Sequence, residues 1–233
     1  MPAPERGTVV LCGSLGAPAA MWDQQLPALA GRTVVRVDHP GHGEAPHADV
    51  GDISDLARRV LYAAGDEPFS FVGLSLGGAI GMQLALDAPE RLERLVLAST
   101  AARFGEPERW LERAATVRAY GLGAIVDAVL GRWFTPSFDG VDLYREYFLN
   151  TDPEGYARCC EALSRFDVRA ALGAVDVPTL AIAATEDPTT TPDVVETIAR
   201  SIPNARFEVI EDAAHLVNVE RSREFNRLLE GFL

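Results

Sequence analysis

Gly73-Leu74-Ser75-Leu76-Gly77 fits G-x-S-x-G, a spacing that can hold a serine on a sharp turn between a strand and a helix. The preceding run, Phe69-Ser70-Phe71-Val72, is apolar and aromatic and reads as a buried strand. The following Met82-Gln83-Leu84-Ala85-Leu86 favours a helix. Small flanking residues let strand and helix approach closely. The turn pushes the hydroxyl into the open, and the helix N-terminus behind it favours developing negative charge. The chemistry on offer is nucleophilic attack.

A hydroxyl attacks well only when a base takes its proton, and histidine is the usual base at neutral pH. His39, His42, His47 and His215 are the four present. His215, in Asp212-Ala213-Ala214-His215-Leu216-Val217-Asn218, follows the last apolar run and precedes the last helix, the position that a base at the carboxyl edge of a sheet requires. His39 and His42 sit in a Gly/Pro-rich loop ahead of the serine and suit a structural role or a pocket wall, whereas His47 reads as a surface residue. An acid must orient the base, and Thr185-Glu186-Asp187-Pro188 supplies one after another apolar run. Only one of the adjacent Glu186 and Asp187 can point inward, and Pro188 stiffens the loop at Asp187. An oxyanion needs two backbone N–H donors. Leu76 follows the serine and provides one; the loop Gly13-Ser14-Leu15-Gly16 provides the other, best at Leu15.

These residues need elements to carry them. Thr8–Cys12, Thr33–Val37, Phe69–Leu74 and Leu92–Leu97 read as strands, with helices expected over Ala20–Ala30 and Ile53–Ala64 and from the serine to near Pro89. Met21, Trp22, Leu26 and Leu29 should face inward in the first helix, and Leu56, Val60 and Leu61 in the second. Continuous apolar strands are buried on both faces, so a parallel sheet between helices is expected. From Ala101 to about Val175 the periodicity is helical only. Segments are expected over Pro107–Tyr120, Leu122–Trp133, Val141–Leu149 and Pro153–Phe166, with a short piece at Val168–Leu172. Such an insertion suits a cap over the carboxyl ends of the strands. Alternation resumes with the strand Pro178–Ala184, the helix Pro192–Ser201, the strand Arg206–Ile210 and a helix Glu220–Leu233. The expected organisation is a core of 1–100 and 176–233 with a helical cap of 101–175.

The composition narrows the partners. With 21 Lys plus Arg against 34 Asp plus Glu, the net charge of −13 argues against nucleic acid and against an anionic membrane surface. An anionic ligand would need a local arginine cluster. Cys12, Cys159 and Cys160 are odd in number and two are adjacent, which favours reduced thiols, with Cys12 as a buried small hydrophobe. No spacing suggests a metal site, Met1–Gly7 has no signal core, and no run reaches transmembrane length. A cytoplasmic protein is expected, its oligomeric state left open.

The order Ser75, Asp187, His215 resembles that of the α/β-hydrolase superfamily. The chain is similar, from about Thr8 to its end, to the bacterial 3-oxoadipate enol-lactonases of aromatic-acid catabolism. The shared stretches include Gly13-Ser14-Leu15-Gly16, Met21-Trp22-Asp23-Gln24-Gln25 and Asp38-His39-Pro40-Gly41-His42-Gly43. In the cap they are Ser99-Thr100-Ala101-Ala102-Arg103, Leu130-Gly131-Arg132-Trp133-Phe134-Thr135 and Thr151-Asp152-Pro153-Glu154-Gly155-Tyr156. The resemblance implies an α/β-hydrolase fold and selects Asp187 as the acid. It implies a small enol-lactone substrate bearing an acetate side chain, opened through an acyl-enzyme without metal or cofactor. Arg132 and Trp133, with Arg103 at the root of the cap, are then the candidates for holding the substrate carboxylate. The family usually begins with an antiparallel strand pair that is expected to be missing here, leaving one sheet edge less covered. The segment from His42 to Phe69 is expected to be short, and no fused decarboxylase domain of the kind some relatives carry is expected. A carboxylesterase or another small lactonase, a cofactor-free haloperoxidase side activity, and a non-catalytic binding homologue are the competing readings.

Overall fold

Residues 7–233 are described by a computed structural model; Met1-Pro2-Ala3-Pro4-Glu5-Arg6, where most of the missing signal core was read, lie outside them. The apolar runs form β1 (Thr8–Cys12), β2 (Thr33–Val37), β3 (Phe69–Leu74), β4 (Leu92–Ala98), β5 (Thr179–Ala184) and β6 (Arg206–Ile210). They pair in one sheet of order β2-β1-β3-β4-β5-β6, parallel at every pairing of the described strands. β3 and β5 are buried along their whole length, whereas the edge strands β2 and β6 are partly exposed. This is the burial that continuous apolar runs in the centre of a parallel sheet require. Cys12 pairs with Gly73, Leu74 with Ala98 and Ala184 with Ile210, so the strands end together along one edge.

Helices cover both faces, as the alternation demands. α1 (Ile53–Ala64) opens on a capping box in which Asp52 accepts from the Asp55 amide and Asp55 from that of Asp52. α2 (Leu76–Asp87) starts directly at the serine turn and is buried over its first seven residues. Between β4 and β5 come α3 (Pro107–Tyr120), α4 (Val126–Trp133), α5 (Val141–Leu149) and α6 (Pro153–Arg165). α3 packs on α6, and Arg118 clamps the pair with two parallel bonds to Glu154 of 2.6 and 2.8 Å. One apolar cluster runs without a break from the strands into Phe148, Tyr156 and Trp133 of this insertion. α7 (Pro192–Ser201), α8 (Val217–Glu220) and α9 (Ser222–Phe232) complete the described chain.

Four elements differ from the expectation. Ala19–Leu29 is a 3₁₀ rather than an α-helix; Pro27 lacks an N–H and its ring would meet the carbonyl four residues back. The three-residue period buries Trp22 and Gln25, while Leu26 is only half-buried. The segment expected over Leu122–Trp133 breaks at Ile125, where φ is −125°, into a 3₁₀ turn and α4. Val168–Leu172 is not helical: the Val168 amide bonds to Ala102 instead, and a 3₁₀ turn forms over Leu172–Ala174. The last helix starts earlier, at Val217, and breaks at Arg221, beyond which Phe225, Leu229 and Phe232 form a new inward stripe.

No described helix is long and apolar enough to cross a membrane. The three cysteines are unpaired and buried. Burial, and then the proximity of Cys12, pushes the Cys159 thiol up to about 12, so these thiols are poor nucleophiles.

Candidate active site

Ser75 joins β3 to α2 with φ 60° and ψ −112°, a backbone conformation that serine rarely adopts. Its amide bonds to Ala98 at 3.0 Å, and its carbonyl accepts from Thr100 Oγ1 at 2.8 Å and from the Ala79 amide at 3.0 Å. These bonds hold the turn in place. Glycine is required on both sides by close approach. A Cβ at Gly73 would lie 2.2 Å from the Gly77 carbonyl oxygen, and one at Gly77 would lie 2.0 Å from that of Cys12.

Across the strand ends, Asp187 follows β5 and His215 follows β6. The two are 2% and 5% exposed, and Ser75 is 8% exposed. His215 Nδ1 lies 2.7 Å from Asp187 Oδ2. The other carboxylate oxygen accepts the amides of Thr189 at 2.8 Å and Thr190 at 3.1 Å, and Oδ2 also accepts the Thr190 hydroxyl at 2.5 Å. Burial alone would raise the Asp187 carboxyl. The charge and hydrogen bond of His215, then the bonds from Thr190 and Thr189, outweigh it and hold the carboxyl at about 2. An ionised carboxylate only accepts, so an imidazole N–H at Nδ1 faces it and Nε2 is left to the cavity side. Among the described residues Ser75 Oγ makes no hydrogen bond to His215. The two side chains meet as walls of one cavity, a separation that catalytic pairs often close only around substrate.

That cavity is also lined by Ser14, Leu15, Phe104, Trp110, Arg113, Val129, Arg132, Trp133, Tyr156 and Thr189. Leu15, in the β1 loop, lines it, Leu76 follows Ser75 in the first turn of α2, and neither amide donates to an acceptor among the described residues. The β1 loop is fixed from below. Gly13 O accepts both the Gly77 amide at 3.0 Å and the His39 ring at 2.9 Å. Burial depresses the pKa of His39, which keeps it neutral. His42 is held at about 3, chiefly by burial and then by the neighbouring His39 ring, since both cannot be charged together. Both are structural, and His47 is exposed.

The structure brings Arg132 and Trp133 to the cavity, as the resemblance implied, but not Arg103. Arg103 forms an antiparallel bridge with Asp167 and an ion pair of 3.1 Å with Glu106, and does not line the cavity. The second guanidinium on the cavity wall is instead Arg113 of α3, resting 4.7 Å above the Trp110 ring. In the sequence Arg113 is one charge among many on a polar helix, with no motif that singles it out. Neither Arg113 nor Arg132 pairs with a carboxylate among the described residues. Burial, and then the like charge of Arg113, lowers the pKa of the Arg132 guanidinium. An unpaired cationic pair in a half-buried cavity favours an anion. Beside it, a hydroxyl, an imidazole and a buried carboxylate can together support acyl transfer.

The chain matches the model of the alpha/beta hydrolase fold family over residues 7–222. It is 35% identical over 240 residues to 3-oxoadipate enol-lactonase 2 of Acinetobacter baylyi, covering 98% of this chain and 89% of that protein. The crystal structure of the enol-lactonase from Burkholderia xenovorans LB400 superposes with a TM-score of 0.93 at 37% identity, over 97% of this chain and 90% of the other. The similarity also extends to a pimeloyl-[acyl-carrier protein] methyl ester esterase of Neisseria meningitidis, 31% identical over 97% of this chain and 93% of that protein.

Proposed function

From the premise that this chain belongs to the α/β-hydrolase family and is a hydrolase of ester bonds, we propose that it opens a small anionic enol-lactone, 3-oxoadipate enol-lactone, to 3-oxoadipate. Ser75 is the nucleophile, His215 the base and Asp187 the group that orients and charges the imidazole. The Leu15 and Leu76 amides receive the oxyanion. Ser75 Oγ attacks the lactone carbonyl as His215 Nε2 takes its proton, and the ring C–O bond breaks with the electron pair leaving on an enolate. That enolate takes up the proton carried by His215 and becomes the ketone, which returns the imidazole to its basic form. His215 then draws a proton from water, which attacks the acyl-enzyme and frees Ser75. An enolate leaves more readily than an alkoxide, so the leaving group needs little help. The helices of 101–175 act as the cap that closes over the substrate.

The observation that carries the substrate class is the pair Arg113 and Arg132, without a carboxylate partner among the described residues and lining the same cavity as Ser75, in a chain of net charge −13. A free acetate arm would lie between them, with Trp133 as the apolar wall. Three buried reduced thiols suit a cytoplasmic setting. The second reading is a carboxylesterase for small esters, favoured by the similarity to the methyl ester esterase.

Turnover of freshly generated 3-oxoadipate enol-lactone and of a neutral phenyl ester separates the two, with Ser75→Ala as control. Arg132→Ala should lower kcat/KM for the lactone by roughly 30-fold or more, the loss of one half of a buried charge pair, and leave the neutral ester nearly unchanged. Equal losses on both substrates would refute the carboxylate role.

A further inference from the structure

Helix α4 ends at the cavity, and its last carbonyls need donors from outside the helix. They find them in the loop that carries His215. The His215 amide donates to Arg132 O at 3.3 Å and the Leu216 amide to Trp133 O at 3.0 Å. One carboxylate fastens the same junction from the side. Glu220, at the end of α8, accepts the Ala214 amide on Oε2 at 2.9 Å and the Thr135 amide on Oε1 at 3.1 Å. The Thr135 hydroxyl also donates to Oε1, and Ser137 Oγ lies 2.9 Å from that hydroxyl. Ala214 immediately precedes His215, and Thr135 follows the Arg132-Trp133 pair by two residues. A half-buried glutamate thus receives three donors from two segments distant in sequence, one bearing His215 and the other bearing Arg132 of the cavity.

We infer that Glu220 is a positioning residue, which sets the reach of His215 toward Ser75 by tying the histidine loop to the end of α4. The role rests on the reading of Ser75 and His215 as nucleophile and base. Glu220 does not line the cavity and acts only through its neighbours. Without its carboxylate the Ala214 and Thr135 amides lose their shared acceptor. The loop is then held to α4 by the two backbone bonds alone, the longer of which is that of His215 itself. A base displaced by about 1 Å loses on the order of 100-fold in rate. Substrate affinity should change less, because Arg132 and Arg113 stay on their helices.

The test measures kcat and KM on a neutral phenyl ester and on the enol-lactone for Glu220→Ala, Glu220→Gln and Thr135→Val. Each rate is referred to the concentration of serine titrated by a phosphonate, so that misfolded protein does not count. Thermal melting is recorded in parallel. Glu220→Ala should lower kcat per titrated site roughly 30- to 100-fold on both substrates, with KM within a few-fold. Glu220→Gln should recover part of that rate, since its carboxamide oxygen still accepts one amide. Thr135→Val should lose a few-fold and add nothing to Glu220→Ala. A kcat per titrated site within twofold of the parent in Glu220→Ala overturns the role, whatever the melting temperature does. If Glu220→Ala does not fold, the same result in both Glu220→Gln and Thr135→Val overturns it. Ser75→Ala and His215→Ala run alongside: full activity in these refutes the catalytic reading itself, whereas their inactivity beside fully active Glu220 variants refutes the positioning role alone.

Discussion

Gly77→Ala is the smallest change that reaches the proposed oxyanion site, one methyl group on the turn after Ser75. The new Cβ would lie 2.0 Å from Cys12 O, 2.6 Å from Cys12 C and 3.1 Å from Gly13 O. A carbon ordinarily approaches a carbonyl oxygen no closer than about 3.3 Å, so a gap of about 1.3 Å must open. Every atom it meets is backbone, and no side chain can rotate out of the way. The first turn of α2 must therefore move off the β1 loop, against the 3.0 Å bond from the Gly77 amide to Gly13 O. That motion separates the Leu76 amide from the Leu15 amide. Loss of one oxyanion donor is worth about 3 kcal/mol, or on the order of 100-fold in kcat. Overpacking adds a destabilisation of about 3 kcal/mol, the upper end of its usual range, because only backbone can yield. Phenyl ester kinetics and urea unfolding read the two effects separately. Gly131→Ala is the control: it lies exposed in α4 with no foreign atom within 4 Å of the added carbon. It should gain roughly 0.8 kcal/mol from helix propensity at unchanged rate. A Gly77→Ala enzyme with parental kcat and unfolding midpoint would refute the close contact between α2 and β1 on which this turn depends.

Three other outcomes follow from the site. Asp187 is held at about 2 against 3.8 when unconstrained. A depressed carboxyl stabilises the fold above its unfolded pKa and loses that contribution as pH falls from about 4 to about 2. The parent should thus lose about 2 kcal/mol of unfolding free energy over this window that Asp187→Asn does not lose, measured by urea titration at pH 5 and 2.5; equal losses would show that the carboxylate is not so held. Asp187→Asn should also lower kcat by on the order of 10⁴, because the imidazole proton is no longer held on Nδ1. Arg113→Met keeps the stem packed on Trp110 but removes the charge, and should lower kcat/KM for the anionic lactone by about 10-fold; an unchanged value would exclude Arg113 from the anion site.

Local sequence determined the alternation of elements and the serine turn. Apolar runs of five to seven residues form parallel strands wherever a helical stretch can return the chain, so β1 to β6 were visible from hydrophobicity alone. Gly73 and Gly77 marked Ser75 because only residues without a Cβ tolerate contacts of 2.2 and 2.0 Å. Asp187-Pro188-Thr189-Thr190 also carries a local signal: an aspartate commonly accepts amides two and three residues on, and here those bonds help keep it ionised. Other features exist only in three dimensions. Glu186 is exposed and Asp187 buried, a choice set by which side of one loop meets His215. Arg103 and Arg113 are both arginines of the insertion, yet only the packing of α3 against α6 decides which one turns to the cavity. Glu220 has no motif at all. Its partners stand 85 and 6 residues away, and the reason for its carboxylate appears only where the end of α4 and the histidine loop come together.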